Sequence, residues 1–169
     1  TLPYTTHWTQ NAGQTLLIVK KIPERATKQN PVCLIAVGGD GTVHEVLNGV
    51  VHFEHVYIGV IAAGSGNDFA RGFETFKTGK QLEQFIKYPT RSLHDYGSAL
   101  FNGTSKYFIN NFGVGFDAFV AMKANESKLK KSLNRWKLGK LSYPYYVISA
   151  LFTYKPFHLT IIVDGKEQQ

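Results

Sequence analysis

The sequence holds a single cysteine, Cys33, in 169 residues. That excludes a disulfide-stapled scaffold and a cysteine-built metal site, and it fits a reducing cytosol. Long hydrophobic runs are missing too. The longest apolar stretch, 145–152, has Ser149 inside it and falls far short of the roughly 20 residues needed to cross a bilayer. No signal-peptide pattern is visible. Acids are scarce: 12 Asp and Glu stand against 19 Lys and Arg, a formal charge of +7. Such a balance suits an anionic partner, for which nucleotide, anionic lipid surface and nucleic acid all qualify by charge alone. Several catalytic signatures are also absent. Gly79-Lys80-Gln81 and Gly139-Lys140-Leu141 lack the hydroxyl residue and the upstream glycine of a Walker A loop. His94-Asp95 lacks the further His and Asp ligands of a metal phosphohydrolase. Gly113-Val114-Gly115-Phe116-Asp117-Ala118 matches the dinucleotide fingerprint in form, but Arg135, Trp136 and Lys137 occupy the place of its distal acid.

What is present centres on 32–48. Val32-Cys33-Leu34-Ile35-Ala36-Val37 is too short for a helix and apolar at every position, which suits a parallel strand covered on both faces. It runs into Gly38-Gly39-Asp40-Gly41-Thr42, where glycines permit positive φ and close approach of a ligand to the backbone. Thr42 followed by Glu45 reads as a capping box that starts a helix at Thr42. Strand, glycine loop and helix N-terminus together favour a bound anion such as a phosphate. Asp40 would repel that phosphate, so it implies either an intervening Mg²⁺ or a role in holding the turn. The plainer reading of the whole stretch is a tight turn whose Asp bonds its own amides.

A second apolar run, 56–63, empties into Gly64-Ser65-Gly66-Asn67-Asp68-Phe69-Ala70-Arg71. Ser65 and Asp68 again read as a cap and its partner. Both loops should reach the same edge of a parallel sheet, at the carboxyl ends of the strands where ligands bind.

These two motifs together resemble the catalytic domain of the diacylglycerol kinase and sphingosine kinase family, in particular its bacterial lipid kinases. The first motif alone is shared with NAD kinases and phosphofructokinases, whereas Asn67-Asp68-Phe69-Ala70-Arg71 is the discriminating stretch. Asp95-Tyr96-Gly97 and Asn110-Asn111-Phe112-Gly113-Val114-Gly115-Phe116-Asp117-Ala118 look like the same family. The resemblance implies an enzyme that transfers the γ-phosphoryl of ATP to a lipid hydroxyl, such as that of diacylglycerol or a sphingoid base. It implies that Gly38, Gly39, Asp40, Gly41, Thr42, Gly64, Ser65, Gly66 and Asn67 hold the nucleotide, with His44, Glu45 and a threonine near it, for which Thr9 is the nearest match and Thr5 and Thr6 are competitors. It further implies that Asp40, Asp68 and Asp95 act in catalysis and organise Mg²⁺ and water. The family's general base belongs to a later Asp-Gly-Glu motif, which Asp164-Gly165-Lys166 does not match. An NAD-kinase- or phosphofructokinase-like enzyme and a non-catalytic nucleotide- or membrane-binding module stay open as alternatives.

The expected fold is α/β. A Rossmann-like parallel-sheet nucleotide-binding domain over 1–91, lacking the family's N-terminal strand, precedes the start of a β-rich, β-sandwich-like domain with inserted helices over 92–169. Val43, Val46, Leu47 and Val50 form the inward face of the first long helix, and 81–88 is a helix ended by Pro89. Asn102-Gly103 turns a hairpin between 92–101 and 104–110, with Asp95 in its first strand. Asp117 caps a helix toward Trp136 that carries Lys128, Lys130, Lys131, Arg135 and Lys137, and Pro144 fits the first turn of the next helix. Asp164-Gly165 is a hairpin turn with no return strand, which reads as a fragment that is inactive alone. The basic helix and the aromatic cluster Tyr143, Tyr145, Tyr146 and Phe152 imply a cytoplasmic protein associated peripherally with an anionic membrane. No nucleic acid partner is expected, and a homodimer stays open.

Overall fold

The computed structural model describes residues 4–64, 66–126, 139–164 and 166–168. The chain forms two compact units, Thr1–Asn111 and Phe112–Gln169. The first unit includes the first hairpin, which Asn48 ties to a helix of that unit through Tyr107.

In that unit α1 (Gln14–Val19) and a single 3-10 turn (Pro23–Arg25) precede β1 (Val32–Gly38), α2 (Asp40–Val50) and β2 (Val56–Ala62). β1 and β2 are parallel, with Val32 opposite Val56 and Gly38 opposite Ala62. A parallel pair needs a crossover, and α2 provides it. Its inward stripe is the expected one: Val43, Val46, Leu47 and Val50 are buried, joined by Gly49. Val43, Val46 and Val50 close a core with Val19, Ala36 and Val60, against which Ile22, Leu34, Val56 and Phe69 pack. A side chain at Gly49 would overlap Val19, so this glycine lets α1 lie close on α2.

The sheet is not covered on both faces, as its uniformly apolar sequence suggests. Cys33 is exposed and Val37 is 62% exposed. The core helices take one face, while the other is covered in part, where the Phe76 ring lies over Gly59. After β2 come α3 (Phe69–Gly72) and α4 (Gly79–Lys87), the latter starting two residues before the expected 81. Its cap is Thr78, whose hydroxyl accepts the Gln81 N–H at 3.2 Å, while Gln81 reaches back to the Lys77 N–H at 2.7 Å.

β3 (Gly97–Phe101) and β4 (Thr104–Phe108) form the predicted hairpin. Asn102 at φ 47° and Gly103 at φ 74° supply the two left-handed residues of its turn. The first strand starts later than expected, so Asp95 lies ahead of it.

The second unit pairs α5 (Phe116–Glu126) with α6 (Gly139–Thr153). Val120, Ala124, Tyr146 and Ala150 form its core, with Phe116, Phe119 and Val147 packed around them. The two alanines leave room for close approach of the helices. Asp117 stands inside the first turn of α5, and Pro144 lies inside α6, which begins earlier than the proline suggested. β5 (Ile161–Val163) does have a return strand, β6 (Lys166–Gln168), with Asp164 at φ 49° in the turn. The fold is thus mixed α/β around a parallel two-stranded sheet. A β-sandwich is not formed by the described residues, whose six strands make three separate two-stranded sheets. The basic run from Lys128 to Lys137 lies outside the described residues.

Candidate functional site

Level strand ends bring the two glycine loops together. A Cβ added at Gly39 would stand 3.0 Å from the Cα of Gly64, and one added at Gly64 would overlap the Gly39 backbone and lie 2.9 Å from Asn67 Oδ1. The Ala63 N–H also donates to the Gly38 carbonyl at 2.9 Å. Bare backbone is therefore required here so that one loop can touch the other. Positive φ is not the reason, since Gly38, Gly39 and Gly41 are absent from the left-handed residues. A side chain at Gly38 would overlap the Thr42 hydroxyl, while a Cβ at Gly41 would meet open space.

Asn67 closes the second loop. It adopts φ 53°, a left-handed conformation that asparagine tolerates better than most residues. From there its Oδ1 accepts the Gly64 N–H at 2.8 Å, and its Nδ2 donates to the Gly64 carbonyl at 2.6 Å. Ser65 lies outside the described residues. Asp40 reaches across from the first loop: its Oδ1 accepts the Phe69 N–H at 3.0 Å, and its Oδ2 would meet a Cβ on Gly66 at 3.0 Å. The acid expected to hold its own turn, or a metal, thus holds the start of α3. Asp68 stands at the N-cap of α3 without capping it, and pairs instead with Arg71 at 2.7 Å in an exposed i,i+3 bridge. Such a bridge contributes about 1 kcal/mol or less.

The helix after the first loop starts at Asp40, with Gly39 as its N-cap, and Thr42 falls inside the first turn. The expected capping box is not formed. Glu45 instead crosses to α1, where its carboxylate accepts the Gly13 N–H at 2.7 Å and the Leu16 N–H at 3.3 Å. The bond from Gly13 is the main reason that the Glu45 carboxyl sits below the ordinary carboxylate range, with Leu16 and Thr15 adding to it against a smaller effect of burial. A lowered folded value means that this stabilisation is complete above the unfolded pKa of about 4.3 and is lost as pH falls through the folded value. Glu45→Gln should therefore unfold more easily than wild type at neutral pH, by about 1 kcal/mol as for a weakened helix cap. The gap should close on acidification, as read from urea melts across the pH range; a gap independent of pH would deny the carboxylate this role.

A recess of about 130 Å³ lies beside the loops, lined by Asp40, Val43, His44, Leu47 and Phe69 on one side and by Phe108, Ile109, Asn110 and Asn111 on the other. Asp40 and His44 are thus placed in one site. Thr9 is exposed in the segment ahead of α1, and Asp95 is exposed ahead of β3. Among the described residues no group of three His, Cys, Asp or Glu side chains is placed to hold a metal ion.

Sequence reading missed Asn48. This residue of α2 donates through Nδ2 to the Tyr107 carbonyl at 2.8 Å and accepts the Tyr107 N–H on Oδ1 at 3.0 Å. Its only local signal is an amide side chain on a helix otherwise apolar inward, and its partner is remote in the chain.

The profile of the diacylglycerol kinase catalytic domain matches residues 2–96. Among curated proteins, the chain is 36% identical over 141 residues to one named "Putative lipid kinase YtlR" of Bacillus subtilis, covering 80% of the chain and 45% of the relative. It is 32% identical over 164 residues to a diacylglycerol kinase of the same bacterium, covering 95% and 49%. With a diacylglycerol kinase of Mycobacterium tuberculosis it shares 29% over 137 residues, covering 80% and 42%. The chain spans about half the length of these relatives. No solved structure matches it.

Proposed function

The chain belongs to the diacylglycerol kinase catalytic-domain family, and from that premise we propose that it binds ATP at the joined glycine loops and serves transfer of the γ-phosphoryl group to a lipid hydroxyl. The observation that carries this reading is the contact between Gly39 and Gly64 at the carboxyl ends of two level parallel strands. It supports a Rossmann-like arrangement in which the ligand meets backbone amides and the N-terminus of α2. Phosphoryl transfer is chiefly a matter of positioning and charge stabilisation, so a rigid double loop is what the donor needs. Asp40 is the one acid among the described residues lining the recess, where a carboxylate can order water or take up a proton. Magnesium is expected with ATP in such chemistry, but Asp40, Asp68 and Asp95 as placed here do not fit a three-carboxylate site for it.

A lipid acceptor is favoured over a soluble one by the names of the relatives and by an exposed apolar row on α6. Tyr145, Ile148 and Phe152, spaced along one helical face, are 58%, 57% and 86% exposed. No helix among the described residues is long and apolar enough to cross a membrane, so the lipid would be met at the surface of the bilayer, a contact to which the basic run 128–137 would add.

The test is phosphorylation by the protein in its full natural length, with Mg-ATP and mixed micelles containing diacylglycerol and sphingosine, followed by mass spectrometry of the lipids. A phosphorylated lipid that depends on ATP is the expected product. Hydrolysis of ATP without a lipid product, or phosphorylation of a soluble acceptor such as NAD, would replace this reading with one of its rivals.

A further inference from the structure

Asn48 lies one turn beyond His44 on α2 and is half-buried. Its Nδ2 donates to the carbonyls of Tyr107 and His44 at 2.8 and 2.9 Å, and its Oδ1 accepts the Tyr107 N–H at 3.0 Å. One carboxamide thus satisfies both backbone groups of Tyr107, as a neighbouring β-strand would. The ring of Tyr107 is fixed as well, edge-on to His52 at 5.0 Å and to Tyr96 at 5.6 Å. The chain then runs directly into Phe108, Ile109, Asn110 and Asn111, which form one wall of the recess, whereas Asp40 and His44 on the other wall belong to the same helix as Asn48.

We propose that Asn48 is a positioning residue for phosphoryl transfer, holding the 108–111 wall in register with the helix that carries Asp40 and His44. The inference rests on the kinase reading and adds to it the part that sets the width of the recess. Only an amide can serve both groups of Tyr107. A carboxylate at this position has no donor and would face two carbonyl oxygens, and a methyl group would leave the Tyr107 N–H and carbonyl without this partner. The glycine loops lie at the opposite end of α2, so loss of the tie widens the recess and leaves the nucleotide cradle intact. The consequence falls on turnover more than on ATP binding.

The experiment compares wild type, Asn48→Ala and the nearly isosteric Asn48→Asp in the full-length protein, measuring kcat and the KM for ATP in lipid phosphorylation together with hydrogen exchange at the Tyr107 amide. Both variants should lose about tenfold or more in kcat, with the KM for ATP within about threefold of wild type and faster exchange at Tyr107. A wild-type kcat in the variants would overturn the proposal. So would a loss of activity fully matched by loss of folded protein, or a KM for ATP that rises as much as kcat falls. Inactive wild-type protein would mark failure of the kinase reading itself, whereas active wild type with unaffected variants would mark failure of the role given to Asn48.

Discussion

Gly64→Ala should abolish nucleotide binding while leaving the core around α2 folded. The new methyl group has no room, because it points at the backbone of Gly39, which cannot rotate away as a side chain could. Overpacking of this kind costs about 1–3 kcal/mol, less than the stability of an ordinary domain. The loops would separate, and with them the amides presented to the phosphates. In wild type, ATP at 100 times its Kd should stabilise the fold by about 2.7 kcal/mol, and in Gly64→Ala the corresponding rise in Tm should vanish with the circular dichroism spectrum preserved. An unchanged rise would place the nucleotide away from the loops. Gly79→Ala is the matched control, since a Cβ there also meets open space and the residue opens α4, away from both loops.

The second large effect is expected at Asp40, where two substitutions separate geometry from charge. Asp40→Ala removes the acceptor of the Phe69 N–H and should cost about 1–3 kcal/mol as well as loosening the second loop. Asp40→Asn keeps an oxygen that can accept the same bond, so its stability should stay near that of wild type. Both should lower lipid phosphorylation by about 10²-fold or more, the first by misplacing the loop and the second by removing the carboxylate from the recess. Calorimetry beside the activity assay checks this. An active Asp40→Asn protein would reduce Asp40 to a strut between the loops.

Features written in neighbouring residues were legible in the sequence. The Asn102-Gly103 turn depends on two adjacent φ values, and the buried stripe of α2 depends on spacing within one helix, so both were found as expected. The adjacency of the two glycine loops also followed, because two short strands joined by one helix must lie parallel. What could not be read was which distant backbone group each polar side chain would serve. Glu45 has the spacing of a local capping box but lies nearer to the free amides of α1, and Asp40, read as holding either a metal or its own turn, bonds the start of α3. Asn48 is an equally long-range case, for its partner lies on a later hairpin. Apolar content misled in another way. The run in β1 suggested two covered faces, yet a residue's hydrophobicity does not say whether an element arrives to cover it, and Val37 remains exposed.

The register of β1 with β2 also orders events in time. The β3–β4 hairpin joins neighbouring residues and can close within about 1–10 μs. Val32 meets Val56 only after the intervening chain has folded back through α2, a non-local closure that is intrinsically slower. Until it happens Gly39 and Gly64 are apart, and the proposed nucleotide cradle does not yet exist. If ATP binds as proposed, it would capture the finished unit and slow its unfolding, so added nucleotide should lengthen the lifetime of the native state without hastening its formation.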